Sequence, residues 1–159
     1  MKKSLHVIMF MAFLLSGCAT KIPITSSDTY LITIKNKQMA LSDTGFINQG
    51  KNYTNVQIFS AGAVLFNLEV KEDVCLDGRC TSRMEFNKLF FEHPHYEAMI
   101  SDVLEMKPLY EGKDKVSIEG GFEQELDLIG SHINYKVQNK SLYFKDSKNG
   151  ILIKLKELK

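Results

Sequence analysis

The chain has 159 residues, a formal charge of +1, 44% hydrophobic residues and 25% charged residues. That is one domain with enough apolar side chains to bury a real core. The near-neutral charge and the lack of any basic stripe argue against a nucleic-acid partner.

The first segment reads as an export leader. Lys2 and Lys3 form a positive start, and Leu5 to Leu15 is an apolar run interrupted only by His6. The run is too short to span a bilayer as a stable helix, which marks it as a signal core. Leu15-Ser16-Gly17-Cys18 resembles the bacterial lipobox, in which small residues precede the cysteine that is cut free and acylated. That likeness predicts removal of residues 1–17, lipidation (palmitate among the acyl groups) of Cys18, and a membrane anchor without a transmembrane helix. Two or three acyl chains hold firmly, because each buried methylene contributes about 0.8 kcal/mol. Ala19, standing where an inner-membrane retention signal would place aspartate, implies sorting to the periplasmic face of the outer membrane in a two-membrane host. Losing Lys2 and Lys3 takes the formal charge from +1 to −1.

Residues 18–29 read as a lipidated tether, since Pro23 and Ser26-Ser27-Asp28 interrupt any apolar pattern. Residues 30–159 read as a single domain. Ile32 and Ile34, Met39 and Leu41, Val56 and Ile58, then Val64, Phe66, Leu68 and Val70 alternate with polar neighbours. Period-two alternation predicts strands with one buried face. Cys75-Leu76-Asp77-Gly78-Arg79-Cys80 carries a turn signal between two cysteines. An exported chain permits a disulfide there; the other readings are a metal or redox pair, and a metal would need further ligands at short spacing.

The middle of the chain changes period. Ser82 with Glu85 fits a capping box and predicts a short helix through Phe90. Pro94 suits a helix start, and Tyr96, Met99, Ile100, Val103 and Leu104 recur at helical spacing, so a helix is expected over Tyr96 to Met106 and ends before Pro108 and Gly112. Strands return with Phe122 to Leu128, with Ile133, Tyr135 and Val137, with Leu142 and Phe144, and, after the hairpin signal Asn149-Gly150, with Ile151, Ile153 and Leu155.

No catalytic motif stands out. His93-Pro94-His95 reads as a solvated loop leading into a helix, His132 as a surface residue, and Glu123, Glu125 and Asp127 as the solvated face of a strand. No metal or cofactor is expected, and a binding protein is favoured over a small hydrolase with unrecognised residues.

In this order the elements resemble the LolA/LolB family of lipoprotein carriers and receptors. The likeness rests on Phe59-Ser60-Ala61-Gly62-Ala63-Val64-Leu65-Phe66-Asn67-Leu68-Glu69, on Met99 through Leu109 with its Pro108-Leu109 step, and on the final strands from Ile133 to Lys156. The chain departs from the family in lacking a proline in the tip loop and in having no tryptophan. The resemblance implies a mainly β (α+β) fold: a curved antiparallel sheet or incomplete β-barrel closed by a short helical insertion. It implies an apolar cavity for acyl chains of lipid or lipoproteins, lined by Ile32, Ile34, Val56, Ile58, Phe66, Leu68, Met99, Val103, Tyr135, Phe144 and Ile153; read from the pattern alone, the same residues also suit a dry core filled by the helix. It implies a monomer that receives lipoproteins from a periplasmic LolA-like carrier, with Val64 or Leu65 as the apolar tip that touches the membrane. The alternative is a structural lipoprotein that assembles with another envelope protein through a sheet edge or an apolar patch.

Overall fold

The computed structural model describes residues 23–158. The expected leader, Cys18 and the first part of the tether lie outside the described residues. Eleven strands form one antiparallel sheet: β1 (Ile24–Lys35), β2 (Ala40–Gly50), β3 (Tyr53–Ser60), β4 (Ala63–Val70), β5 (Val74–Leu76), β6 (Arg79–Thr81), β7 (Lys115–Ile118), β8 (Gly121–Leu128), β9 (Ser131–Gln138), β10 (Ser141–Asp146) and β11 (Ile151–Glu157). Their spatial order is β6-β5-β4-β3-β2-β1-β11-β10-β9-β8-β7. The fold is mainly β, as the alternation predicts, and the sheet is not closed: β6 and β7 are its two edges.

The first and last strands meet in the middle of the sheet, from Tyr30 opposite Glu157 to Lys35 opposite Leu152. This pairing joins two runs of hairpins into one surface. Each central strand buries alternate residues, as in β9, where Ile133, Tyr135 and Val137 point inward.

The residues between β6 and β7 carry the helices: α1 (Arg83–Phe90), α2 (Met99–Leu104) and a 3-10 turn (Tyr110–Gly112). The segment therefore runs from one edge of the sheet to the other. Its Phe86, Phe90, Phe91, Met99, Ile100, Val103, Leu104 and Leu109 are buried in the same cluster as the inward face of the strands. It forms a cover over that face. Every strand pairing and the whole apolar cluster lie within residues 24–157, so a chain beginning after Cys18 retains them all.

Three elements differ from the sequence reading. The first strand begins at Ile24, six residues before the expected domain start, so the later part of the tether is sheet. Its polar side chains pair across the ladder, as Ser27 Oγ does with Asn48 Oδ1 at 2.6 Å, which gives no apolar alternation to read. The second helix has six residues and starts at Met99 instead of near Pro94. Asn87 Nδ2 donates to the carbonyls of Tyr96 at 2.8 Å and Glu97 at 3.2 Å, holding that backbone against α1. β7 is an edge strand with three of its four residues exposed, so it carries no period-two signal.

Local signals elsewhere have the expected outcome. Ser82 Oγ accepts the Glu85 N–H at 3.3 Å, which caps α1. Asp77 and Gly78 both take positive φ, the backbone of a two-residue hairpin. Cys75 and Cys80 are directly opposed on β5 and β6 and form a disulfide.

Candidate functional site

The eleven residues expected to line a cavity are all buried, none more than 3% exposed, and belong to one cluster. Nine come from the inward face of the sheet. Met99 and Val103 face them from α2. The structure thus gathers every one of them between sheet and cover. In this conformation the side chains fill the space themselves: Tyr135 packs edge-on against Phe144, and Phe144 against Phe91 of the cover. In the closed arrangement the expected lining residues thus pack against one another. Larger clefts lie around the cover, not beneath it. One of about 550 Å³ is bordered by Gln49, Tyr53, Arg83, Ser101, Asp102 and Glu105. Another of about 570 Å³ runs along Tyr96, Pro108, Tyr110 and Lys113. Of the eleven residues, only Tyr135 borders such a space, a groove of about 470 Å³ beside β8.

Several polar contacts fasten the cover, among them Asn36 Nδ2 on the Phe90 oxygen at 3.3 Å and Lys37 on Glu92 at 3.0 Å; three further side chains act in ways the sequence reading missed. Arg83 at the start of α1 donates to Ser101 Oγ on α2 and to the backbone oxygens of Lys71 and Glu72 in the β4–β5 turn. Gln124 on β8 accepts from the Leu109 N–H at 2.7 Å and returns a bond to the Leu109 oxygen at 2.9 Å. Asn87 makes the two carbonyl bonds already described. A lone Arg, Asn or Gln carries no periodic signal, and each acts here through a backbone distant in sequence.

The histidine pair also departs from expectation. His95 is 2% exposed, packs edge-on against Phe91, and places Nδ1 at 2.6 Å from the Tyr110 hydroxyl. Burial, and secondarily the neighbouring His93, lowers its pKa to about 4, although Asp146 acts in the opposite sense. His95 is a neutral part of the cover rather than a solvated residue. Its ring lies 4.6 Å from that of His93, whose Nε2 sits 2.7 Å from the Ile129 carbonyl.

The cover also leaves polar atoms unsatisfied. Asn87 Oδ1, His93 Nδ1, His95 Nε2 and Tyr135 Oη are buried without a hydrogen-bond partner among the described residues. Burial raises the Tyr135 phenol pKa, with Tyr96 and Asp102 adding to it. Each such atom costs about 1–3 kcal/mol of desolvation, a penalty that falls on the closed arrangement. α2 has no side-chain cap at its N-terminus, and Glu92, Met106, Tyr110 and Glu111 around it hold positive φ.

The expected tip is exposed. Ala61 and Gly62 turn the chain with positive φ, and the following Val64 and Leu65 are 50% and 56% exposed. Phe46 and Phe59 stack edge-on at 5.7 Å in the same region of the outer face. Among the described residues no helix is long and apolar enough to cross a membrane, and no cluster of three or more His, Cys, Asp or Glu could hold a metal.

No protein-family model matches the chain, and no curated protein matches its sequence.

Proposed function

We propose that the chain is a lipid-anchored acceptor of acyl chains at the periplasmic face of the outer membrane, working in the manner of the LolB receptors it resembles. The observation that carries this reading is the convergence of all eleven expected lining residues between one sheet face and a separate cover, held to the sheet and its turns by polar bonds such as Gln124–Leu109, Arg83–Lys71 and Asn36–Phe90. When the cover lifts, the apolar interior exchanges protein contacts for acyl contacts, and the orphaned polar atoms regain water. Burial of methylenes supplies the affinity, at about 0.8 kcal/mol each, so no nucleotide or catalyst is needed. A LolA-like carrier would hold the chains less firmly, and the bilayer more firmly.

A sheet curled into an incomplete barrel fits this use, and two glycines support the curl. A Cβ at Gly45 would strike the Gln57 carbonyl, and one at Gly121 the Val137 carbonyl. Such close backbone approach, at Gly45 within β2 and at Gly121 where β8 begins, goes with tight coiling.

The test uses the chain from residue 19 onward with a fluorescent fatty-acyl probe and with lipoprotein loaded on a carrier. Saturable binding and transfer support the reading. A folded chain that binds neither overturns it. That outcome favours the second reading, an envelope-assembly lipoprotein, for which the filled interior and the exposed Val64–Leu65 tip are the favouring observations.

A further inference from the structure

The outward positions of four adjacent strands include Thr29, Leu31, Thr33 and Lys35 on β1; Leu152, Lys154 and Lys156 on β11; Ser141, Tyr143 and Lys145 on β10; and His132, Asn134, Lys136 and Gln138 on β9. Five of these are lysines and none is a carboxylate; the acids of this face, Glu123, Glu125 and Asp127, stand on β8, opposite Lys136, Asn134 and His132. Register makes them neighbours. Lys35 and Lys145 flank Leu152, and Lys154 and Lys136 flank Tyr143. Only Lys136 reaches an acid, Glu123 on β8, at 3.9 Å. Lys35, Lys145, Lys154 and Lys156 have no carboxylate within ion-pair distance among the described residues. A shallow groove of about 340 Å³ is bordered by Lys35, Lys145, Lys154, Tyr143 and Leu152. Lys154 sits 5.4 Å over the Tyr143 ring.

We propose that this outer face is a docking surface for the phosphate headgroups of an anionic bilayer. Three observations select a bilayer. First, the lysines are flexible point charges with no planar partner geometry, which suits phosphates presented at no fixed position. Second, the basic strip continues on the same face into exposed apolar residues: Leu31 and Phe46, each 40% exposed, with Leu65 beyond. Lysines beside apolar and aromatic side chains match the headgroup–acyl boundary. Third, four residues separate Cys18 from Pro23, a reach of roughly 17 Å, so an anchored domain stays against its membrane. This last point rests on the lipid-anchored reading. The surface acts from outside the sheet and is independent of what the interior holds.

The experiment uses the full lipidated chain in vesicles of phosphatidylcholine, with or without phosphatidylglycerol. Amine acetylation is read residue by residue by mass spectrometry, and flotation reports the anchor separately. The expected result is protection of Lys35, Lys145, Lys154 and Lys156 on the anionic vesicles alone, lost at high salt. Lys51, Lys88 and Lys113, which lie off this face, should label equally on both. Each lysine near an anionic surface is worth about fivefold in affinity, so K145Q/K154Q should weaken protection of Lys35 and Lys156 accordingly. Equal labelling on both vesicle types in a chain that floats overturns the proposal. So does protection that needs an added acidic protein instead of the lipid. Neither result bears on acyl transfer.

Discussion

The side chain of Gln124 and the backbone of Leu109 hold each other in both directions, at 2.7 and 2.9 Å, while Gln124 also donates to the Lys113 oxygen at 2.6 Å. Both residues are buried. The pair works like one extra rung of sheet, set between β8 and the end of the cover. Gln124→Leu keeps the volume but leaves a buried N–H and carbonyl without partners. It should cost roughly 2–4 kcal/mol of stability. Urea unfolding monitored by circular dichroism measures this, and an unchanged midpoint would show that the rung is dispensable.

Acid should loosen the cover through His95. Its pKa is about 4 in the folded chain, below the ordinary 6.5 of an unfolded histidine. The unfolded state therefore binds more protons between those values. Stability contributed by neutral His95 is complete above about pH 6.5 and falls away as pH drops toward about 4. Asp146 acts in a lower window. Burial alone would raise its pKa, but bonds from Ser131, Asn149 and the His132 backbone lower it overall, so its contribution fades only below the ordinary carboxylate range. Unfolding of H95F followed against pH should lack the slope between about 6.5 and 4. The same slope in that variant would place the titration elsewhere.

The Cys75–Cys80 bond closes a loop with a sequence separation of five. Chain entropy for so short a loop gives about 2 kcal/mol. β5 and β6 end the sheet, so C75S/C80S should raise hydrogen exchange in that hairpin while leaving β9 to β11 protected. Intact mass of the exported protein should rise by two hydrogens on reduction. Two freely alkylated thiols before reduction would show that the bond does not form.

Much of the sheet is legible in the sequence because each strand buries one face. Ile32 and Ile34, Phe66 to Val70, and Ile133 to Val137 alternate for that reason, and Asp77-Gly78 marks its own turn; Val64, which the alternation places on the same face as Phe66, is instead exposed, because the β3–β4 register shifts between Ile58 and Phe59. The parts that are not legible depend on distant partners. Ile24 to Thr29 form strand through polar pairs with β2. α2 is short because Asn87 takes the carbonyls of Tyr96 and Glu97. The burial of His95 follows from Phe91 and Tyr110, which no spacing rule connects. Alternation and resemblance together point to the residues of the candidate interior. Whether it is open or filled depends on side-chain volumes across the cover, which the linear pattern does not encode.

The proposed lipid anchor rests on Leu15-Ser16-Gly17-Cys18. C18A should abolish fatty-acid labelling in cells and release the protein from the membrane fraction. Equal labelling of the variant would contradict a lipidated Cys18.

The central claim is that acyl chains occupy the space between sheet and cover. Placing the photoreactive p-benzoylphenylalanine at Phe66, which points inward, at Leu65, in the exposed tip, or at Tyr143, on the outer face, tests it directly. The chain is exposed to carrier-bound lipoprotein and irradiated. The account predicts lipoprotein adducts at position 66 and none at 143. Adducts absent at 66 in a folded protein, while the exposed position 65 still reacts with an envelope protein, would contradict it.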